Sequence, residues 1–527
     1  MVASPRAAVL PACLSAAFAC TPLGAAAQSL ADSIRDRLSE RVAPEAPALE
    51  GFYARRGFQP AWSGDAGPLP RVVELQRIVS EADRDGLRPA DYPLPPLRPA
   101  LDPDVLAGFD LALTRAALRY AADLADGRVD PAAVDTAWTA APRAIEVAYV
   151  LAGLLDSWRL PAIRSALSPP HAGYTRLRAA LARYREIADR GGWPVLPESL
   201  ALAPGDSGES VSILRTRLAV EGDVKARLDS GDRYDAVLQE AVRRFQRRRG
   251  LAPDGEVGPG TLAALNVPVA QRIREIELNL ERWRWLPREL GERYLAVNSA
   301  ALELVVVQGD STVMRMRAVV GRPDWPTPIV SSQITSLQFG PTWNIPRSIA
   351  VQEVAPLARR DTAYLRRERI HMFRDSAGAA EIDPATVDWS QVSEGTFSYQ
   401  LRQEPGGTNP LGGVKFVFAN RFNVFIHDTP HRALFREPVR TASHGCVRAE
   451  RAADLAVYLL HDPTRWPRDS IRGAMDRLDG RWVPLGDSVP VHLVYWTAWA
   501  EADGTVEFRR DLYGWDRRLA DALAAQP

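Results

Sequence analysis

A single cysteine close to a histidine is the feature of this sequence best suited to chemistry. Cys446 lies in the segment Ser443-His444-Gly445-Cys446-Val447-Arg448, and His427 ends an apolar stretch upstream of it. A thiol becomes a good nucleophile once it loses its proton, and a nearby imidazole can remove that proton. The other cysteines, Cys13 and Cys20, fall in an N-terminal leader, so Cys446 keeps no disulfide partner in the mature chain. We therefore expect Cys446 to be a nucleophile and His427 to be its base.

The residues around Cys446 meet two further needs of acyl transfer. Gly445 lets the backbone come close to a substrate, so amide groups in this loop, including that of His444, can donate to a tetrahedral oxyanion. Arg448 can hold a carboxylate, or the loop itself, in a two-pronged geometry. An inert buried cysteine is the alternative, but its polar neighbours are a poor context for an apolar core.

Zinc binding is a second alternative, because His427, His431, His444 and Cys446 are all ligand types. His427 and His431 are spaced to share one face of a helix. The Asp428-Thr429-Pro430 sequence between them predicts a turn instead, since proline resists a helix there. We therefore expect no metal and no cofactor at this site.

The N-terminus has the pattern of an export signal. Arg6 provides a positive start, residues 7–19 are apolar, and Ala25-Ala26-Ala27 offers small residues for cleavage before Gln28. Lipidation of Cys20 is an alternative, although the residues before it fit a lipobox poorly. No other stretch reaches the roughly 20 apolar residues that a membrane-spanning helix needs. The 65 basic residues balance the 65 acidic residues, so net charge does not favour nucleic acid or anionic lipid.

At 527 residues the chain is too long for one hydrophobic core, so several domains are expected. From residue 30 to residue 190 apolar residues recur at helical spacing, without a cluster of catalytic residue types. One example is the set Val72, Leu75, Ile78 and Val79. We interpret residues 28–198 as a helical scaffold.

Residues 199–268 are expected to form a separate small domain of helices and turns. Gly250 suits a left-handed helix end, and Asp254-Gly255 suits a tight turn. The apolar residues that share one helical face are Val211, Leu214 and Leu218. We interpret the arginine run within residues 243–249 as a solvated helix face, with contact to acidic cell-wall polymers as the alternative. A simple helical spacer is the alternative for the whole domain.

From Tyr294 the apolar period changes to two, which predicts β-strands. The Gly309-Asp310 turn predicts a hairpin between residues 302–308 and 312–320. Residues 350–400 are charged and irregular, and this length indicates a lid or capping insertion. Further strands are expected at 334–339, 414–418 and 423–426, a helix at 450–460, and a final hairpin at 489–499 and 505–508.

Four motifs lie in order along the C-terminal half. They are Pro341-Thr342-Trp343-Asn344-Ile345-Pro346, Asn409-Pro410-Leu411-Gly412, His427-Asp428-Thr429-Pro430, and the segment from Ser443 to Arg448. With them the chain resembles the L,D-transpeptidase catalytic domain, especially the large periplasmic subgroup with a helical scaffold. The second half of 204–267 similarly resembles the three-helix peptidoglycan-binding domain, although Arg215 stands where a glutamine is common.

The resemblance implies an α+β multidomain protein with a mainly-β L,D-transpeptidase catalytic domain. The expected divisions are a signal peptide at 1–27, a helical scaffold at 28–198, a three-helix peptidoglycan-binding domain at 199–268, a catalytic domain at 269–486 with its capping insertion at 350–400, and a C-terminal hairpin and tail at 487–527. It also implies a periplasmic location. The expected partners are peptidoglycan stem peptides and glycan, together with other cell-wall synthesis enzymes.

By the same resemblance, Cys446 attacks the third residue of a tetrapeptide stem, and D-alanine leaves. A neighbouring stem's amine then resolves the thioester into a 3→3 cross-link, while the capping insertion limits water. Carbapenems acylate the cysteine of this family, so Cys446 is an expected target. The residues expected to assist Cys446 are His427, Gly445 and His444, and those expected to bind substrate are Arg448, Ser443, Trp343 and Asn344.

Several alternatives stay open at the level of sequence. Water, a lysine of an outer-membrane lipoprotein or a free D-amino acid could each resolve the same thioester. An alternative of another class is a non-catalytic wall-binding scaffold, in which residues 204–267 supply the function and the catalytic domain has decayed. The intact pair of His427 and Cys446 argues against that alternative.

Overall fold

The computed structural model describes residues 24–39, 46–64, 66–97, 102–134, 138, 145–224, 231–374 and 380–526. The predicted signal peptide, residues 1–27, therefore lies largely outside the described residues, and so do Cys13 and Cys20. The chain divides into two compact units. The first comprises Met1–Ser80, Tyr92–Ala121 and Glu146–Ala166, and the second comprises Glu81–Asp91, Ala122–Ile145 and Leu167–Pro527.

Helices and strands alternate in blocks along the chain. The helices are α1 Gly24–Ser39, α2 Ala46–Arg55, α3 Arg71–Ser80, α4 Pro103–Asp126, α5 Pro131–Val134, α6 Val147–Asp156, α7 Ile163–Leu167, α8 Ala172–Asp189, α9 Glu209–Val220, α10 Ala236–Arg248, α11 Pro259–Leu265, α12 Val269–Arg284, α13 Arg347–Ile349, α14 Ala355–Arg360, α15 Ala363–Arg367, α16 Ala452–Leu460, α17 Arg468–Arg477 and α18 Trp515–Ala525. The strands are β1 Ser63–Gly64, β2 Gly67–Pro68, β3 Arg293–Asn298, β4 Glu303–Gln308, β5 Ser311–Gly321, β6 Val330–Phe339, β7 Trp343–Ile345, β8 Ile370–Phe373, β9 Gln400–Gln403, β10 Val414–Phe418, β11 Ile426–His427, β12 Thr441–Ser443, β13 Val447–Ala449, β14 Trp482–Val494, β15 Ala498–Ala500 and β16 Val506–Phe508.

The first unit is helical, as the sequence predicts. The four apolar residues at helical spacing in α3 are all buried. Asp110 of α4 is also buried, and its carboxylate accepts hydrogen bonds from the Tyr53 hydroxyl at 2.7 Å and from the Trp62 amide at 2.8 Å. These bonds tie the segment before β1 to α4. Within the described part of the chain, no helix combines the length and the apolar character needed to cross a membrane.

Helices α9, α10 and α11 of the second unit form the predicted three-helix domain. Val211, Leu214 and Leu218 are buried together with Phe245. Gly250 follows α10 with φ +67°, the left-handed conformation expected at a helix end. Helix α8 also belongs to the second unit, although the sequence assigns it to the scaffold. It packs against α12, where Tyr174, Leu177 and Leu181 share a core with Ile276 and Leu280.

The interpretation of the arginine run as a solvated face is wrong for its last two members. Arg248 and Arg249 are buried. The Nη2 groups of both donate to the carboxylate of Glu221, at 2.9 and 2.5 Å respectively. Although burial opposes ionisation, these arginines and Arg217 hold the pKa of Glu221 well below its ordinary value. A buried ion cluster therefore fixes the end of α10 against the end of α9.

The expected catalytic domain is built on one large sheet. Its strand order is β12-β5-β13-β11-β10-β6-β14-β3-β4, and an additional pairing of β4 with β5 closes the sheet on itself. The predicted hairpin of β4 and β5 is confirmed, with Gln308 opposite Ser311 at the turn. Helix α16 packs on the apolar face of the sheet, where Leu455 and Leu459 join the core.

The C-terminal hairpin is shorter than the sequence predicts. It is formed by β15 and β16, with Ala498 opposite Phe508. Residues 489–494 instead continue the long strand β14, where Leu493 pairs with Val297 of β3 and with Val330 of β6. This strand crosses the expected domain boundary at residue 486, so residues 487–494 belong to the large sheet.

The expected capping insertion at 350–400 is longer and more regular than its sequence suggests, because the structured segment begins with β7 at Trp343 and ends with β9 at Gln403. Strands β7, β9 and β8 form a separate three-stranded antiparallel sheet. The short helices α13, α14 and α15 lie beside it, with Ile349, Val354 and Leu365 in a common core. These strands have only three or four residues each, too few for a periodic pattern to identify them.

Candidate active site

Two neighbouring strands, β11 and β13, bring the expected catalytic residues to one face of the large sheet. In the parallel pair of β11 and β13, His427 lies opposite Arg448, and Ile426 lies opposite Val447. Cys446 comes immediately before β13 and two residues before Arg448, so the alternation of side chains along an extended segment predicts that its thiol faces the same side as His427. Ile426 and Val447 point to the opposite face and are fully buried.

His427 is held in the tautomer that a general base requires. Its side chain is buried, and Nδ1 lies 2.5 Å from the backbone carbonyl oxygen of Asp428. A carbonyl oxygen can only accept, so Nδ1 carries the proton and Nε2 keeps its lone pair. Burial lowers the pKa of His427 to about 3, and the positive charge of Arg448 acts in the same direction. The ring is therefore neutral near pH 7.

Cys446 is half-buried and unmodified, and its Sγ lies 3.9 Å from the backbone oxygen of Asn423. Burial raises the pKa of the Cys446 thiol. The backbone amide of Phe425 and the charges of Arg448 and Lys415 oppose that rise. The resting pair is thus a neutral thiol beside a neutral imidazole. A preformed pair of thiolate and imidazolium is disfavoured, so the proton moves from sulfur to imidazole as the sulfur attacks the substrate.

The loop that carries Cys446 is held by its own side chains. Gly445 has φ +101°, which glycine adopts far more readily than other residues. Its amide donates to Ser443 Oγ at 3.2 Å, and that hydroxyl donates to the carbonyl oxygen of Cys446 at 2.5 Å. The Gly445 amide is therefore occupied within the loop. The amides of His444 and Cys446, which donate to no residue in the described part of the chain, are the better oxyanion donors.

Sequence reasoning did not identify two further residues near the site, one on this sheet face and one behind the cysteine loop. Lys415 of β10 lies directly opposite His427. Its Nζ lies 4.4 Å from the centre of the Phe425 ring. Thr327 is buried behind the loop, and its hydroxyl donates to the carbonyl oxygen of Gly445 at 2.9 Å. A lysine at period two in the predicted strand 414–418 was a visible signal, whereas nothing local marked Thr327.

His444 connects the cysteine loop to the capping insertion. Its Nε2 lies 2.6 Å from Oε1 of Glu353, and its ring packs on Trp325 with 4.2 Å between ring centres. Burial lowers the pKa of His444, and the Glu353 carboxylate opposes that shift. The side chain of His444 therefore fastens the cap, in addition to any role of its backbone amide.

The remaining expected site residues lie elsewhere. Trp343 and Asn344 are on β7, in the three-stranded sheet of the insertion rather than in the sheet that carries Cys446. Asn344 is exposed, and its Oδ1 accepts a hydrogen bond from Arg402 at 3.2 Å. His431 is exposed in the turn after Pro430. Among the residues that the structure describes, no group of three or more histidine, cysteine or acidic side chains is arranged to hold a metal ion.

Three protein-family models match the chain. Residues 47–181 match a scaffold domain, residues 207–265 match a family described as "Putative peptidoglycan binding domain", and residues 292–491 match the L,D-transpeptidase catalytic domain. The resemblance seen in the sequence motifs is therefore confirmed. So is the α+β architecture with a separate peptidoglycan-binding domain.

A curated protein of Haemophilus influenzae, described as "Putative L,D-transpeptidase", is 29% identical over 246 residues. The match covers 47% of this chain and 49% of that protein, so the chain spans about half the length of its curated relative.

Two crystal structures are also similar. An L,D-transpeptidase from Xylanimonas cellulosilytica is 16% identical, covering 57% of this chain and 98% of that one, with a TM-score of 0.19. An L,D-transpeptidase from Stackebrandtia nassauensis is 12% identical, covering 57% and 97%, with a TM-score of 0.22. TM-scores this low support no structural conclusion. The family models carry the assignment: residues 292–491 are an L,D-transpeptidase catalytic domain, in a chain that also carries a scaffold domain and a peptidoglycan-binding domain.

Proposed function

We propose that this protein is a peptidoglycan L,D-transpeptidase that forms 3→3 cross-links through a thioester on Cys446. The observation that carries the proposal is the shared sheet face of Cys446 and His427, inside the matched catalytic domain. The fixed Nδ1 proton of His427 leaves Nε2 free to take a proton from the thiol.

In the first step the thiol proton moves to His427 Nε2 as sulfur attacks the carbonyl carbon of the third stem residue. The amides of His444 and Cys446 stabilise the oxyanion. The C–N bond to D-alanine then breaks, and His427 returns the proton to the leaving amine. In the second step the side-chain amine of a neighbouring stem attacks the thioester, His427 accepts its proton, and the thiol is restored.

The difference in pKa between the two groups is compatible with this mechanism. Burial raises the pKa of the Cys446 thiol and lowers that of His427 to about 3. Both shifts keep the proton on sulfur in the resting enzyme, so proton transfer to His427 is concerted with attack on the carbonyl carbon.

Substrate contacts are proposed for Arg448, Ser443, Trp343 and Asn344. Arg448 supplies a carboxylate contact beside the nucleophile, and Ser443 acts by shaping the loop. Trp343 and Asn344 contribute from the cap, which is fastened over the loop by the pair of His444 and Glu353. A closed cap limits water at the thioester and favours an amine acceptor.

The remaining parts of the chain suit work in a cell wall. We propose that residues 207–265 hold the enzyme on peptidoglycan, and that residues 1–27 export it to the periplasm. Other cell-wall synthesis enzymes are proposed partners, and carbapenems are proposed to acylate Cys446.

Incubation with purified tetrapeptide muropeptides, followed by mass analysis, tests the proposal. We expect a dimer that lacks one D-alanine, formed by the native protein but not by Cys446→Ala. His427→Ala should be inactive, whereas His431→Ala, which alters an exposed histidine in the next turn, should keep activity. Tripeptide without dimer would show that water resolves the thioester. Absence of any product, together with no Cys446 adduct after imipenem treatment of folded protein, would instead favour a wall-binding scaffold.

A further inference from the structure

A row of paired residues, most of them polar or charged, crosses the sheet beside the nucleophile. Along neighbouring strands, Trp482 of β14 lies opposite Gln338 of β6, Gln338 lies opposite Lys415 of β10, and Lys415 lies opposite His427 of β11. Arg448 of β13 follows on the other side of His427. Two cations therefore flank the histidine on the face that also bears Cys446.

Neither cation has an anionic partner within the described part of the chain. Lys415 is half-buried, and its ammonium lies over the rings of Phe425 and Trp482, at 4.4 and 5.9 Å from their centres. Arg448 Nε is buried without a hydrogen-bond partner. Burial of an uncompensated charge is costly, and proteins retain it where a ligand supplies the opposite charge.

When the thiol of Cys446 loses its proton, the resulting negative charge interacts with both cations. Burial lowers the pKa of Lys415 and the pKa of Arg448, and a charge on Cys446 opposes the shift in both. Activation of the thiolate could thus explain the two cations. Once the thioester forms, however, the sulfur carries no charge, so the thiolate cannot balance the two cations during the second half of the reaction.

We propose that Lys415 and Arg448 form a carboxylate subsite, and that Lys415 selects donor peptides with a free carboxylate next to the bond that Cys446 attacks. This inference rests on the proposed function and adds its donor specificity. A terminal α-carboxylate on the leaving residue lies within two bonds of the scissile nitrogen, so it fits a subsite adjoining the sulfur. Arg448 offers a planar fork to such a group, and Lys415 offers a point charge.

Two alkylating reagents of similar size test the subsite without any transpeptidase assay. Iodoacetate carries a carboxylate and iodoacetamide does not, and both react with the thiolate of Cys446. The ratio of their rate constants therefore cancels the amount of thiolate and reports attraction of a carboxylate. We expect a ratio above that of glutathione for the native protein, and a decrease of about three- to tenfold in Lys415→Met.

Two control variants distinguish a carboxylate subsite at Lys415 from a general effect of positive charge on the protein surface. Lys415→Arg keeps the positive charge and should keep most of the native ratio. Arg436→Met removes an exposed positive charge between β11 and β12 and should leave the ratio unchanged. If Lys415→Met slows both reagents equally, the lysine acts only on the thiolate and the proposal is wrong.

A measurement on the native protein guards against misfolding of Lys415→Met. N-acetyl-D-alanine should protect Cys446 from iodoacetamide at millimolar concentration, whereas its neutral amide should not. Equal protection by both compounds, or by neither, would overturn the subsite. These readouts need no cross-linking, so a charge-dependent ratio in a protein that forms no dimer would refute the proposed function and leave the subsite intact.

Discussion

Replacing His427 with asparagine should flatten the acid dependence of stability in the catalytic sheet. The ring is 3% exposed, and burial lowers its pKa from 6.5 to about 3. Between these two pH values His427 is protonated in the unfolded chain but not in the folded chain. The contribution of His427 to the free energy of unfolding is therefore fully present above pH 6.5 and decreases as the pH falls. The loss is about 2 kcal/mol at pH 5 and about 4 kcal/mol at pH 3.

Asparagine is chosen because its Nδ2 can still donate to the carbonyl of Asp428 without titrating in this range. Native-state hydrogen exchange of peptides covering β10 and β13, corrected for intrinsic rates, gives the opening free energy at pH 7 and pH 5. The native value should fall by about 2 kcal/mol more than that of His427→Asn. His444 and His492, whose pKa values burial also lowers, are present in both proteins and cancel.

His431→Gln provides the matched control. Solvent reaches this exposed ring in the folded protein, so the variant should keep the native dependence on pH. If the opening free energies of the native protein and of His427→Asn changed equally with pH, the low pKa of the buried His427 would be refuted. Such a result would mean that the ring of His427 is hydrated or already protonated at pH 5, and that the neutral resting pair is incorrect.

Three further predictions concern the loop and the ion cluster. Burial raises the pKa of the Cys446 thiol. The rate of its alkylation by iodoacetamide should therefore increase about tenfold per pH unit between pH 6 and pH 8. A rate that does not change with pH in this range would show that the thiolate is already formed. Gly445→Ala forces alanine to adopt φ +101°. The variant should have a free energy of unfolding in urea that is lower by about 1–3 kcal/mol, and imipenem should acylate it more slowly. An unchanged unfolding free energy and acylation rate would contradict the backbone strain proposed for this position. Arg248→Met removes the arginine that pairs with the buried carboxylates of both Glu221 and Asp223, although Arg217 and Arg249 still pair with Glu221. The variant should destabilise its domain by about 3–5 kcal/mol in calorimetry, against about 0.5 kcal/mol or less for the exposed Arg247→Met. Similar values for both variants would mean that the cluster contributes little.

The features that sequence reasoning predicted are those that local chemistry determines. A lone cysteine beside glycine, with a histidine at a strand end, indicates acyl transfer whatever the fold. The hairpin of β4 and β5 follows from alternating apolar residues on both sides of Gly309-Asp310. Helix α3 follows from four apolar residues at helical spacing.

The features that sequence reasoning missed depend on contacts between residues that are far apart in the chain. Lys415 became part of the site only through strand register, which places it opposite His427. Glu353, in the insertion, reaches His444 from a distant part of the chain. The burial of Arg248 and Arg249, by contrast, was predictable. They stand three and four residues after Phe245, which is on the apolar face of α10, at the end of that helix, and helical periodicity places such positions on the same buried face.

A covalent intermediate on the sulfur of Cys446 is the central requirement of the proposed mechanism. The native protein is mixed with a tetrapeptide stem, quenched in acid within seconds, and digested for mass spectrometry of the peptide that contains Cys446. We expect the mass of that peptide to increase by one tripeptide acyl group, and Cys446→Ala to carry no adduct and release no D-alanine. Turnover of the tetrapeptide by Cys446→Ala, or an acyl group found on another residue, would contradict the account.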